Sequence, residues 1–158
     1  MPESGQLTLS CAEETEALGD RLARAVRASG AGGFAIYLEG DLGAGKTTLA
    51  RGFLRGLGHA GRVASPTYTL MEPYELPGCS VCHMDLYRIR SASELLDLGL
   101  QDVVAGGSIL LVEWPDHGAG QLPMPDVTLR LAVVDGGRRC QASAESQRGR
   151  ELLDRAGL

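Results

Sequence analysis

Eight consecutive residues carry the first chemical signal in this chain: Gly40-Asp41-Leu42-Gly43-Ala44-Gly45-Lys46-Thr47. They satisfy G-x-x-x-x-G-K-[ST], and each specified type answers a physical need. Glycines let the backbone turn tightly and aim its N–H groups inward at phosphate oxygens. A helix opening near Lys46 adds the partial positive charge of its N-terminus. In such a loop the lysine reaches the β- and γ-phosphates and the Thr47 hydroxyl ligates Mg2+. A chain of this composition, with 22 glycines and a single lysine among 158 residues, would match the pattern by chance roughly 0.002 times. The only lysine, against fourteen arginines, stands at the one place where the pattern specifies a lysine.

A phosphate loop alone hydrolyses nothing. Mg2+ needs an acidic second ligand, usually at the end of a buried strand beside the loop strand. Two residues qualify. Glu113 follows the apolar run Ile109-Leu110-Leu111-Val112, and Asp85 follows Val81-Cys82-His83-Met84. One would bind the cation directly or through water and the other would position the attacking water, with the assignment left open. The bland reading of each is a strand-end carboxylate facing solvent. Asp41 reads as structural. Guanine-specific proteins of this type use an Asn-Lys-x-Asp segment, and this chain has neither a second lysine nor any asparagine, so ATP is favoured. Trp114 adjoins Glu113 and reads equally as a neighbour of the nucleotide or as a core residue. Ser65-Pro66-Thr67-Tyr68-Thr69 is a loop in which Pro66 fixes the backbone. Ser65, Thr67 and Thr69 offer hydroxyls, and a threonine could meet Mg2+ or the γ-phosphate when the loop closes. An ordinary Ser/Thr turn is the alternative.

These residues need elements to hold them. Residues 6–10 read as a strand. The capping box Ser10-x-x-Glu13 then predicts a helix to about residue 28, with Leu18, Leu22 and Val26 on one face. Residues 34–38 and 108–112 are compact apolar runs, as buried parallel strands would be. Residues 46–57 are helical, with Leu49, Phe53 and Leu57 at a spacing of four. Residues 70–76 and 80–86 read as strands joined at Pro77-Gly78. Ser91-x-x-Glu94 opens a helix of one to three turns. Residues 126–134 and 138–144 alternate around Asp135-Gly136-Gly137, a hairpin signal. Residues 145–158 read as a closing helix or a frayed tail. Strands and helices alternate first and antiparallel hairpins then intrude, which predicts an α/β sandwich with a mixed sheet in a single domain spanning 1–158.

Composition narrows the function. Hydrophobic residues at 44% and charged residues at 22% mark a globular chain able to bury a core. A net charge of −5 argues against a stand-alone binder of nucleic acid. Arg51 and Arg55, one helical turn apart, with Arg88 and Arg90, could form a basic face, or could be solvated and ion-paired. No apolar run approaches the ~18 residues of a membrane span, and the first ten residues lack the basic start and apolar run of a signal peptide. A cytoplasmic protein without membrane contact is expected. Cys79-x-x-Cys82-His83 fits the haem-attachment pattern, but its strand-like alternation and the missing export signal favour buried structural thiols and no haem.

Beyond the phosphate loop, three segments add specificity: Ser65-Pro-Thr-Tyr-Thr-Leu70 with Tyr74 downstream, His83-Met-Asp-Leu-Tyr-Arg88, and Val112-Glu-Trp114. With Leu38-Glu-Gly40 leading into the loop, they resemble the TsaE (YjeE) family over about residues 6–117. These are bacterial ATPases of the pathway that installs threonylcarbamoyl on the adenosine beside the anticodon of certain tRNAs. The resemblance implies a P-loop NTPase fold, a three-layer α/β sandwich with a mixed parallel/antiparallel central sheet flanked by helices. It implies ATP and Mg2+ as cofactors, weak hydrolysis alone, and action with TsaB and TsaD, so that tRNA is met through the complex. It makes Lys46 and Thr47 the phosphate and Mg2+ ligands, with Thr48 at the start of the same helix. Ser65, Thr67 and Thr69 lie in a switch-like loop, Asp85 and Glu113 form the acidic pair, and Trp114 neighbours the nucleotide. The sequence departs from the family's pattern at Tyr68, where phenylalanine is common, and at Cys79 and Cys82.

Two other readings compete. A small-molecule kinase shares the loop but needs an acceptor site under an arginine-rich lid, and residues 65–90 are too short and too apolar for a large one. A nucleotide-binding scaffold would not need two acids.

Overall fold

The computed structural model describes residues 4–30 and 32–158. Its strands are β1 (Ser4–Leu9), β2 (Ala35–Glu39), β3 (Met71–Leu76), β4 (Cys79–Asp85), β5 (Ile109–Glu113), β6 (Val127–Val134) and β7 (Gly137–Ala144). Its helices are α1 (Ala12–Ala28), α2 (Lys46–Gly56), α3 (Glu94–Asp97), α4 (Leu100–Ala105) and α5 (Gln147–Ala156), with a 3-10 turn at Pro115–Gly118.

All seven strands join one sheet in the order β1-β7-β6-β2-β5-β4-β3. The centre is parallel: β2 pairs with both β5 and β6, and β5 with β4. Strands buried on both faces have no place for a polar side chain, which is why residues 35–38 and 109–112 read as unbroken apolar runs. The flanks are antiparallel, with β7 on β6, β1 on β7 and β3 on β4. The β3–β4 and β6–β7 hairpins close through two-residue turns, in which Gly78 and Gly136 take φ of +79° and +81°.

The sheet separates two apolar layers. On one face Ile36, Leu38, Leu111 and Leu129 pack with Leu22 of α1, Phe53 of α2 and Leu152 of α5. On the other, Ala35, Met84, Leu110 and Val112 pack with Leu95 of α3 and Leu100 of α4. The result is a three-layer α/β sandwich with a mixed sheet. Helices α1 and α2 approach closely because glycines line their contact. A Cβ on Gly52 would lie 2.0 Å from the Glu16 carbonyl oxygen, and one on Gly19 would lie 2.3 Å from that of Leu49.

Two local details differ from the sequence reading, and a third decides between its alternatives. Helix α1 is capped at Cys11 rather than Ser10, and Glu14, not Glu13, reaches back to accept from the Ser10 N–H at 2.6 Å. The predicted helix after Ser91 is two short ones, because Gly99 at φ +83° turns the chain between α3 and α4. Glu94 still closes its box, accepting from the Ser91 N–H at 3.0 Å. Arg51 and Arg55 both reach Glu16 of α1, each at 3.3 Å, so these two arginines are ion-paired. The chain closes with α5, where the Ser146 hydroxyl accepts from the Gly149 N–H at 2.9 Å and Leu152 and Leu153 are buried. Cys79 and Cys82 lie three residues apart on β4, so their side chains join opposite layers. Among the described residues no helix is long and apolar enough to cross a membrane.

Candidate functional site

Strand β2 ends at Glu39, and the chain doubles back at once into α2. The turn is possible because Gly40 and Gly45 adopt φ of +148° and +108°. Gly40 also passes so close to β6 that a Cβ would lie 2.4 Å from the Leu131 carbonyl oxygen. The first bond closing α2 runs from Leu49 N to Gly45 O at 3.0 Å. The amides of Lys46, Thr47 and Thr48 precede it and lack intrahelical acceptors, as at any helix start. These N–H groups and the helix dipole point at one spot, the arrangement that binds phosphate.

The loop opens onto a cleft of about 320 Å3. Leu42, Gly43, Ala44, Gly45, Lys46, Thr47 and Thr48 form one side, and Ser65, Thr67, Asp85, Glu113, Trp114 and Arg138 form the rest. Gly40 and Asp41 stand behind it and turn their carbonyls toward the lysine. Lys46 Nζ donates to Gly40 O and, at 3.0 Å, to Asp41 O. Its ammonium lies 4.3 Å from the centre of the Trp114 ring, a cation–π contact. Trp114 therefore does both things the sequence left open, since it lines the cleft and also packs on the second layer. Burial pushes the Lys46 amine below its ordinary value, and the carboxylates of Glu113, Asp85 and Asp41 pull against that shift. A phosphate group would supply the negative charge that this buried cation lacks.

The two acids sit opposite each other. In the parallel register of β4 and β5, Asp85 faces Glu113. Both are buried, at 5% and 3% exposure, so neither is a solvated strand-end carboxylate. Glu113 accepts from the Thr47 hydroxyl, 3.2 Å from Oε1 and 3.3 Å from Oε2. Asp85 accepts from the Ser65 hydroxyl, from the Thr67 hydroxyl at 3.2 Å and from the Tyr87 N–H at 3.1 Å. The loop 62–69 is thus fastened to the acid through Ser65 and Thr67. Thr69 is not part of this arrangement. It is exposed and does not line the cleft, because the chain turns over residues 67–69, a turn closed by the Leu70 N–H donating to Pro66 O at 2.8 Å. Leu70, with φ +67°, and Trp114, with φ +58°, are the non-glycine residues in the left-handed region among those described. Trp114 borders the cleft, as strain commonly does at functional sites, while Leu70 meets it only through its carbonyl, which accepts from the Asp85 N–H at 3.0 Å.

The sequence reading gave no role in the site to two residues here. His83, fully buried, places Nε2 2.7 Å from Glu113 Oε2. Its signal was period two: His83 and Asp85 share a strand face. Arg138 is the second residue of β7, and its guanidinium donates to the Gly43 carbonyl at 3.1 Å, at the mouth of the cleft. No local pattern announced it, because only the sheet order brings residue 138 to residue 43.

A glycine loop between a parallel strand and a helix, with a buried lysine and strand-end acids, defines the class: this is a P-loop NTPase fold. The comparisons with known proteins narrow that class. The sequence profile described as "Threonylcarbamoyl adenosine biosynthesis protein TsaE" matches residues 9–140. The chain is 44% identical over 118 residues to the tRNA threonylcarbamoyladenosine biosynthesis protein TsaE of Haemophilus influenzae, covering 75% of each chain. It is 43% identical over 122 residues to the TsaE protein of Bacillus subtilis, covering 77% of this chain and 71% of that one. A crystal structure of Bacillus subtilis YdiB superposes with a TM-score of 0.82 at 30% identity, covering 99% of this chain and 96% of the other. The chain belongs to the TsaE family.

Proposed function

We propose that this protein is a Mg2+-dependent ATPase that supports the formation of threonylcarbamoyladenosine in tRNA. It would act as a cytoplasmic subunit working with TsaB and TsaD and meet tRNA through that complex. The observation that carries the hydrolytic part is the pairing of Asp85 with Glu113 in the cleft, facing the phosphate loop. A protein that only held a nucleotide would gain nothing from burying two carboxylates there.

The donor set fits Mg2+. Hydroxyl and carboxylate oxygens converge at Thr47 and Glu113, with Asp85 alongside, and Mg2+ favours one or two carboxylates plus phosphate oxygens. Among the described residues no three His, Cys, Asp or Glu side chains cluster as a complete metal site, so the phosphates have to complete the shell. Thr47 and Glu113 would hold the ion, which supplies charge neutralisation on the phosphates when bound. Lys46 and the loop amides would bind the β- and γ-phosphates, and Arg138 adds a cation at the mouth. Asp85, tied to Ser65 and Thr67, would orient the attacking water and accept its proton, with loop 62–69 as the moving part.

The test is ATP hydrolysis by the protein alone and with TsaB and TsaD, beside a Lys46→Ala control. Stimulation by the partners and loss of at least about 100-fold in the control are expected. Turnover indifferent to the partners, or phosphate passed to a small acceptor, would replace this reading with that of a kinase.

A further inference from the structure

Strand β4 alternates between the two layers, and at position 83 it turns a histidine inward where Val81 contributes an apolar side chain. An apolar residue there would fill the space at no polar expense. The histidine is fully buried, and its Nδ1 has no hydrogen-bond partner among the described residues. Buried polar atoms without partners are rare and call for a reason. The reason lies at the other nitrogen. His83 Nε2 is 2.7 Å from Glu113 Oε2, while Thr47 Oγ1 approaches the same carboxylate from the α2 side at 3.2 and 3.3 Å. The Glu113 carboxylate can only accept when ionised, so Nε2 carries the hydrogen. Two donors from two different elements therefore fix both the position and the plane of this acid.

We propose that His83 is a positioning residue, whose Nε2–H holds the Glu113 carboxylate in the plane that faces Thr47. It touches neither nucleotide nor cation and acts only through Glu113. The inference rests on the reading of Glu113 as a Mg2+ ligand. Without the histidine, the glutamate rotates in its socket and the cation shell must be ordered at each binding event.

Glutamine reaches as far as histidine Nε2 and keeps a donor there. Asparagine stops short, at the depth of Nδ1. The pair separates a positioning role from core packing, since both are polar, smaller than histidine, and similarly costly to bury. The experiment compares wild type, His83→Gln, His83→Asn and Lys46→Ala. Each is saturated with an imido-bridged, non-hydrolysable ATP analogue and titrated with Mg2+ while Trp114, the only tryptophan, is followed by fluorescence. Melting temperatures are recorded alongside. His83→Asn is expected to raise the Mg2+ half-saturation about 10-fold or more. His83→Gln is expected to stay within about threefold of wild type, and both to bind the Mg2+-free analogue within about twofold. Wild-type Mg2+ response in both variants, or equal losses that follow the melting temperature, would overturn the positioning role alone. A wild type that ignores Mg2+, or a Lys46→Ala variant that binds the analogue as tightly as wild type, would overturn the ATPase reading and this inference with it.

Discussion

The floor and the wall of the cleft each hold one carboxylate, and they hold it differently. Glu113 on the floor is bonded to Thr47 of α2 and His83 of β4, both parts of the packed sandwich. Asp85 is bonded to Ser65 and Thr67, on a loop with no regular structure, and to the N–H of Tyr87 in the turn that follows its strand. Moving Glu113 means disturbing the sheet. Freeing most of Asp85 means breaking only the hydroxyl bonds that tie down loop 62–69. On the function proposed above, one acid would stay and the other would change partners. That division is what a nucleotide switch requires: a fixed cation site beside a segment that responds to the γ-phosphate.

The hardest way to break this comparison is to remove the charge on the floor. Glu113→Gln keeps the shape and leaves the loop untouched. Partner-stimulated turnover is expected to fall about 100-fold, with binding of Mg2+-free nucleotide changed by less than about threefold. Steady-state hydrolysis and fluorescent-nucleotide titration measure the two. Mg2+ half-saturation with a non-hydrolysable ATP analogue should rise in Glu113→Gln and stay within about threefold of wild type in Asp85→Asn; equal shifts would make the acids equivalent, and the division fails.

Loosening the wall should do less. Ser65→Ala combined with Thr67→Ala removes both loop hydroxyls from Asp85, and turnover is expected to fall about 10-fold. Hydrogen exchange in residues 62–69 should rise while that in β5 stays as it was. Faster exchange in β5 would mean that the floor depends on the loop. Thr69→Ala makes the sharper control. Its side chain is exposed and does not line the cleft, so turnover should stay within about twofold of wild type.

The floor was nearly all legible in the sequence and the wall only in part. A phosphate loop is local: its glycines, lysine and threonine are contiguous, so spacing alone places them. The acids were found because buried parallel strands end where ligands bind, and an apolar run followed by Glu or Asp marks that end. His83 escaped because a strand histidine among apolar neighbours reads as core until the partner strand is known. Arg138 escaped for the same reason at longer range, since 95 residues separate it from Gly43. Thr69 was expected beside Ser65 and Thr67 because it offers a hydroxyl in the same switch-like loop. The chain does not stay extended through them: it turns over residues 67–69, closed by the Leu70 N–H on Pro66 O, and leaves Thr69 outside the cleft. Gly99 divided the helix after Ser91 by one left-handed residue.

The smallest effect concerns how firmly the scaffold is closed. Cys82 on β4 and Cys140 on β7 are buried, and burial pushes both thiols from the ordinary 9.0 up to about 11. Burial also pushes Tyr37 on β2 from 10.0 to about 12. Each group is harder to ionise in the folded protein than in the unfolded chain. Well below pH 9 neither state has released these protons and stability is unaffected. Above pH 9 the unfolded chain loses its thiol protons first, so stability declines as pH rises toward 11. At about pH 9.5 the loss is roughly 1 kcal/mol per thiol, or a Tm lower by roughly 2–4 °C for each. Thermal melts of wild type and of a Cys82→Ala, Cys140→Ala double variant at pH 7.5 and 9.5 test this. The double variant starts lower, because it lacks two buried side chains, but its Tm should fall less between the two pH values. Equal slopes would mean that the thiols meet solvent in the native state. The sheet beneath Glu113 would then be as mobile as the loop that holds Asp85, and the contrast between floor and wall would lose its mechanical basis.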